Sequence, residues 1–508
     1  MGQTTIVLMI LTVISKIFGF VRESVMASYI GAGELKSIYT TAITIPTFIM
    51  GISTTGIVSG YIPIYNKVNS EKGEAAANDF TNNLLNILMV FGSIAFVFSF
   101  IFARPISKLF SPGLAGDSLA LATSFTRIIC LSIFPFLYSS VIRGFLNIKD
   151  NFTDPIFTPI IEDIILIISI ALTAKIENSY ILIIGALLAN IIQFIRFPFV
   201  SKKLGFTYYR RVNFKDSYVK YLMVLIIPII ISSAADQLSI IVDNSVASAF
   251  FGESSVSKIF YAKTMLGFIM GVVTMSVTSV AFPLIAKLAQ EDKIEDMKKE
   301  VGSAVVIAMI LVIPATLGMM VLSTPIIKIA FERNAFTSVD TTIVANLMSV
   351  YAPYIIFTTI INILSIAFYS VRESRLPVVI VLGQQVLNLI LNFIFIKLLG
   401  LNGLALATSA STAVGSICML IAFYKRFGKL KESKNILAII KILLSSVVMI
   451  FTANLIYNIL LSNNSFGISL LVSVLLAIIV YLVCIWFAKI DIVDGIKENL
   501  NYRLKGEK

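Results

Sequence analysis

The chain has 508 residues, 57% of them hydrophobic and 13% charged, with a mean hydropathy of +0.93. Soluble domains average about 25% charged residues, so the composition specifies an all-α polytopic membrane protein. The net charge of +12 does not point to nucleic acid, because the charges fall in the loops between apolar runs, and the absence of histidine excludes His-based catalysis and His metal ligation.

Cys130, Cys418 and Cys484 are far apart in apolar runs and read as small hydrophobes, not as a disulfide framework or metal site. The opening residues lack a signal-peptide cleavage pattern and run straight into the first apolar segment. A span needs about 20 mostly apolar residues. That rule predicts fourteen transmembrane helices, near 5–30, 36–65, 80–103, 119–146, 155–174, 179–200, 220–250, 257–288, 301–323, 340–370, 377–398, 402–424, 436–461 and 466–488. Pro46, Pro135, Pro228, Pro314 and Pro353 lie inside spans and mark kink sites.

Lysine and arginine set the orientation. With Met1 in the cytoplasm, the inner loops and C-terminal tail hold about 27 of them and the outer loops about 8. Both termini are therefore expected inside. The basic 201–218 loop reads either as an amphipathic helix on the anionic leaflet or as a solvated topology signal.

The chain repeats itself. VRESVMASYIG at 21–31 matches VDNSVASAFFG at 242–252, and IPIYNK at 62–67 matches FPLIAK at 282–287. RPISKLF at 104–110 resembles TPIIKIAF at 324–331, while Pro135 and Pro353, and Gly185 and Gly403, are each 218 apart. Spans 1–6 and 7–12 are thus two pseudo-symmetric six-helix lobes, with equal even counts and the same orientation. The predicted organisation is an N-lobe at 1–218, a C-lobe at 219–428, and two extra helices with a basic tail at 429–508. Such duplication is common in secondary transporters, whose substrate path lies between the halves. Trp486, the only tryptophan, reads as an interfacial anchor.

Charges inside spans cost roughly 2.5 to 3.5 kcal/mol each on insertion scales. The first span carries Lys16, Arg22 and Glu23, which form a broad polar face suited to an anionic substrate, since the arginine fork donates two hydrogen bonds to phosphate. The alternative is mutual neutralisation with partners on other helices. The second copy replaces Arg22 and Glu23 by Asp243 and Asn244. Lys263 in span 8 either completes a cationic cavity or snorkels. Glu162 and Asp163 are expected to pair with Arg127 or Arg196. Asp243, Asn388, Asn392 and Thr408 offer oxygens to a hard cation such as Na⁺, or amides and hydroxyls for interhelical bonding. No Walker A motif or catalytic loop is present, so an enzyme is not expected.

SKIFGFVRE at 15–23, the AGE turn that follows, Pro46 and IPIYNKVNSEKGE at 62–74 resemble the MurJ (MviN-type) lipid II flippases of the MOP exporter superfamily. The resemblance implies flipping of an undecaprenyl-pyrophosphate-linked peptidoglycan precursor across the bacterial cytoplasmic membrane by alternating access, coupled to a cation gradient or membrane potential. It implies that Lys16, Arg22 and Lys263 hold the pyrophosphate, with Glu23 as a cavity acid. It also implies a sodium site built by Asp243, Asn388, Asn392, the Leu404 carbonyl and Thr408, and no other cofactor. The lipid-linked saccharide, the bilayer and the cell-wall synthesis machinery are the implied partners. The chain departs from the pattern after Pro46, where TFIMGISTTG carries no arginine, and at YAKT, where Thr264 stands in an arginine position. A flippase for another lipid-linked oligosaccharide and a cation-coupled drug exporter are the alternative readings.

Overall fold

The computed structural model describes residues 2–371, 373–429, 432–462 and 465–494. Side chains at 2–9, 52, 55, 59, 228–229, 231–233, 235–236, 272–280 and 432–435 lie outside that description, among them those of Pro228 and Asp236. The first nine helices are α1 (Gly2–Ile30), α2 (Glu34–Ile101), α3 (Ala103–Phe110), α4 (Gly116–Ile129), α5 (Ile133–Ile148), α6 (Thr153–Ile176), α7 (Ser179–Ile192), α8 (Arg196–Lys203) and α9 (Ser217–Phe251). Then follow α10 (Ser254–Gln290), α11 (Ile294–Val321), α12 (Ser323–Phe331), α13 (Ser338–Tyr351), α14 (Tyr354–Ser370), α15 (Arg375–Leu399), α16 (Leu401–Phe427), α17 (Glu432–Leu461) and α18 (Phe466–Phe487). Regular structure among the described residues is wholly helical.

Ten described helices are long and apolar enough to cross a membrane. One of them, α2, contains two of the predicted spans, because Gly73 interrupts it with a left-handed φ of 82°. The long helices α1, α9 and α10 add three more, consistent with the fourteen expected. Prolines divide two others. Span 4 breaks at the 3-10 turn Cys130–Ser132, just ahead of Pro135, and span 10 breaks between α13 and α14 at Pro353. A proline supplies no N–H and crowds the preceding turn, so the two repeat-related positions break the same span in each copy. Pro46 and Pro314 stay inside continuous helices.

The chain forms two compact units. Unit 1 is Met1–Phe260 with Phe331–Thr337, and unit 2 is Tyr261–Ala330 with Ser338–Lys508. Packing therefore divides the chain after the repeat boundary at 218, because α9 lies along α2. Leu222 and Ile226 of α9 share a buried cluster with Ile57, Tyr61 and Ile64 of α2. In unit 2, α11, α14, α16, α17 and α18 surround one core containing Met309, Ile313, Leu364, Phe423, Ile442 and Tyr481.

Two serine contacts inside unit 1 repeat each other across the duplication. Ser24 of α1 accepts from Arg333 Nη1 at 2.8 Å, and Ser28 O accepts from Ala335 N at 3.0 Å. Ser245 of α9, the repeat twin of Ser24, donates to Leu109 O at 2.8 Å, and Ser248 Oγ accepts from Gly113 N at 2.9 Å. Each copy of the motif helix is thus held by the turn that follows the short amphipathic helix of the other copy. Gly31 closes α1 with φ +78°, and an added Cβ would lie 2.6 Å from Ala335 O.

The 201–218 segment is not one amphipathic helix. Helix α8 stops at Lys203, and the chain then runs without helix until Asp216 caps α9 by accepting from Tyr218 N at 2.9 Å. Asparagines on one face of α2 hold this stretch. Asn78, Asn82 and Asn86 donate to the carbonyls of Gly205, Thr207 and Tyr209 at 3.1, 3.0 and 3.1 Å, and Asn83 donates to that of Asn213 at 3.0 Å. The backbone groups of a non-helical stretch still need partners, and this ladder supplies them.

Gly185 of α7 meets α6 so closely that an added Cβ would collide with the Ser169 side chain. Small residues permit such approach between membrane helices. Gly185→Ala is expected to destabilise the protein by about 1–3 kcal/mol, the usual cost of overpacking. Adding Ser169→Gly returns the space, and the double variant should regain most of the lost thermal stability in detergent. Equal melting temperatures for both variants would refute a steric origin.

A candidate anion-binding site beside a buried ion network

Arg22 and Glu23 are adjacent on α1, and they meet different neighbours. Arg22 Nη1 contacts Asp163 Oδ1 of α6 at 2.7 Å, and its Nη2 contacts Glu23 Oε1 at 2.9 Å. The second oxygen of Glu23 accepts from Lys36 Nζ at 3.0 Å. Lys36 is wholly buried near the start of α2, with its ammonium 4.1 Å from the centre of the Phe260 ring. The result is a chain of alternating charges: Lys36, Glu23, Arg22, Asp163. Two cations and two carboxylates alternate in it, and Glu162, next to Asp163, brings a third carboxylate within electrostatic reach of Arg22. Gly19 lies against Asp163, with a Cβ position 3.6 Å from Oδ2, an ordinary contact distance.

Exposure separates the members. Glu23 and Asp163 are buried, whereas the Arg22 side chain retains 25% of its accessible surface. Lys16 is exposed one and a half turns earlier on α1. The polar face expected of Lys16, Arg22 and Glu23 is therefore split. Glu23 faces inward as a structural anion, while Lys16 and part of Arg22 face outward. The expected partners of Asp163 are replaced too. Arg196 pairs with Asp154 at 2.8 Å, and Arg127 donates to the Phe100 carbonyl at 3.3 Å, which leaves Asp163 to Arg22.

Lys263 belongs to unit 2, where its ammonium sits 5.2 Å from the centre of the Tyr351 ring. That unit also gathers most of the candidate sodium ligands. Asn388 Nδ2 donates to Thr408 Oγ1 at 3.2 Å, Asn392 Nδ2 to Asn388 Oδ1 at 3.3 Å, and Thr408 Oγ1 to the Leu404 carbonyl at 3.2 Å. Gln384 continues the ladder by donating to Thr412 Oγ1 at 3.2 Å. The set is hard oxygen chemistry, as sodium requires, but its members bond one another and none is a carboxylate. Asp243, fully buried on α9, belongs to unit 1.

Sequence reasoning missed Lys36 and the asparagine ladder. Lys36 sat at the predicted edge of span 2, and its distance of thirteen residues from Glu23 fits no single-helix spacing. It becomes legible once the turn at Gly31 folds α2 back beside α1. The ladder had a signal in Asn78, Asn82 and Asn86, spaced four apart on one helical face.

Comparison with known proteins decides the family. The family model described as lipid II flippase MurJ matches residues 26–444. The chain belongs to the lipid II flippase MurJ family. A probable lipid II flippase MurJ from Buchnera aphidicola subsp. Baizongia pistaciae is 26% identical over 479 residues, covering 92% of both chains. One from Rickettsia prowazekii is 28% identical over 415 residues, covering 80% of both. A solved structure titled lipid II flippase MurJ, inward closed conformation, superposes with a TM-score of 0.82 at 26% identity, over 96% of this chain and 100% of that one. An inward-facing multidrug resistance MATE transporter of the MOP superfamily shares the fold, with a TM-score of 0.70 at 13% identity, over 82% of this chain and 96% of that one.

Deleting one partner of a buried pair leaves an uncompensated charge and costs about 3–5 kcal/mol. Lys36→Met should therefore lower thermal stability sharply, whereas Glu23→Gln combined with Lys36→Met should restore much of it. Thermal unfolding of the purified variants checks this, and a double variant worse than the sum of its parts would contradict it.

Proposed function

We propose that this chain flips lipid II, an undecaprenyl-pyrophosphate-linked precursor, across the cytoplasmic membrane by alternating access, and that Arg22 grips the pyrophosphate. As a member of the MurJ family it is a transporter and not an enzyme. The observation that carries the reading is the family match over 26–444, joined to a partly exposed arginine within a buried ion network.

The network supports a specific role for each neighbour. Glu23 and Asp163 fix the guanidinium plane, so little side-chain entropy is left to lose when an anion arrives. Asp163 occupies one arm of the fork, and a pyrophosphate oxygen competes for that arm. Lys16, exposed on the same helix, adds positive charge for the same ligand. A point-charge lysine cannot reproduce the bidentate geometry of arginine. In a strain depleted of its own lipid II flippase, Arg22→Ala is expected to abolish rescue and Arg22→Lys to restore it only partly. Growth and surface-exposed precursor are the readouts. Full rescue by Arg22→Ala removes Arg22 from the role. Failure of the unaltered chain, with rescue of a polymer-export defect instead, selects another lipid-linked oligosaccharide.

Sodium coupling is proposed on the oxygen set of Asn388, Asn392, Leu404 and Thr408 in unit 2. Thr408→Val is expected to remove any sodium-dependent gain in thermal stability over potassium. A sodium response identical in the variant rules Thr408 out.

A further inference from the structure

Unit 2 contains a second charged feature, remote in sequence from Arg22. A cavity of about 730 Å³ opens where the start of α11, the first turns of α17 and the segment after α18 come together. Five lysines line it: Lys298, Lys299, Lys429, Lys441 and Lys489. Three carboxylates line it as well, those of Glu295, Asp296 and Asp491, so the cavity keeps an excess of two positive charges. Lys298 is turned to Glu295, at 2.9 and 3.1 Å from its two oxygens, and is largely covered. Lys441 Nζ donates to the Lys489 carbonyl at 2.7 Å, which joins α17 to the end of α18. The lysines stand over an apolar floor in which Val306, Ala438 and Ile490 are buried.

Two further observations fix the setting. Trp486, half exposed in the last turn of α18, lies four residues before Ile490, and tryptophan prefers the membrane–water boundary. On α17, Leu437 lines the cavity, and Ile440 and Leu444 continue below it as exposed apolar side chains. The cavity therefore sits at headgroup depth, with cations at the level of phosphate and an apolar track descending from it. Basic pockets between transmembrane helices bind anionic headgroups in this arrangement.

We propose that this cavity is a binding site for an anionic phospholipid of the surrounding bilayer, whose phosphodiester lies among Lys299, Lys441 and Lys489 and whose acyl chain follows the exposed face of α17. Binding there bridges α11, α17 and the segment after α18, and so stabilises unit 2.

The full-length protein in a neutral detergent tests this. Short-chain phosphatidylglycerol, titrated in, should raise the melting temperature, and short-chain phosphatidylcholine should not. The variant Lys299→Gln/Lys441→Gln/Lys489→Gln should unfold near the unaltered protein's temperature without lipid and need about tenfold more phosphatidylglycerol for the same rise. A control variant, Lys202→Gln/Lys203→Gln, should respond as the unaltered protein does. The proposal fails if the triple variant responds equally, or if phosphatidylcholine serves as well. It also fails if farnesyl pyrophosphate, a soluble polyprenyl pyrophosphate, stabilises through these lysines while phosphatidylglycerol does not. If the triple variant is already unfolded, lipid retention by the single variants Lys299→Gln and Lys489→Gln, read by native mass spectrometry, decides: each should hold less phosphatidylglycerol, and unchanged retention in both refutes the site.

Discussion

A carboxylate cut off from water must meet cations at close range, and the burial of Glu23 sets that condition for unit 1. Its two oxygens take Lys36 and Arg22, and Arg22 in turn takes Asp163. Satisfying Glu23 therefore requires α1, α2 and α6 to stand in one arrangement. The glycine at 31 follows from this, since its positive φ turns the chain so that the start of α2 brings Lys36 within reach of Glu23. The network contributes geometry more than net stability, because burying four charges is expensive and their attraction only offsets that cost. What it fixes is the position of a guanidinium with one side open.

Much of the fold was legible in sequence because the membrane limits the choices. Every backbone group in the hydrocarbon must be bonded within its own segment, so long apolar runs had to be helices. The repeat then fixed which helices correspond, and Pro135 and Pro353 do break the same span in each copy. Length placed a break between 65 and 80, but it could not show that the chain stays helical on both sides of Gly73. Nor could it show that 204–216 would be non-helical, because that outcome depends on asparagine side chains more than a hundred residues earlier in the chain.

The candidate site was legible in part, for a related reason. Residue type announced that Arg22, Glu23 and Asp163 needed partners, since none is tolerated alone at bilayer depth. The identity of each partner depends on how helices cross, and single-sequence spacing is silent on that. Asp163 had two candidate partners, Arg127 and Arg196, and took neither, pairing instead with Arg22 on α1. Lys16 and Glu23 share a helical face by spacing, yet one is exposed and the other buried, because the neighbour α2 brings its own cation to the Glu23 level. On α15 and α16 the oxygens forecast as ion ligands are brought together, and they bond each other. Spacing cannot distinguish a cation site from an amide ladder, since both need polar atoms one turn apart.

The energies divide the molecule into parts that stay together and parts that can separate. Breaking the Glu23 network costs about 3–5 kcal/mol for each partner lost, so it ties α1, α2 and α6 together. The crossed serine contacts are different. Ser24 and Ser28 with 333–335, and Ser245 and Ser248 with 109–113, are hydrogen bonds each worth about 1 kcal/mol net, or about 1.5–3 kcal/mol where the Arg333 guanidinium donates. A handful of such bonds sums to a few kcal/mol, the scale of an equilibrium between populated conformations. The motif helix thus carries strong contacts where its charges lie and weaker ones where its serines lie.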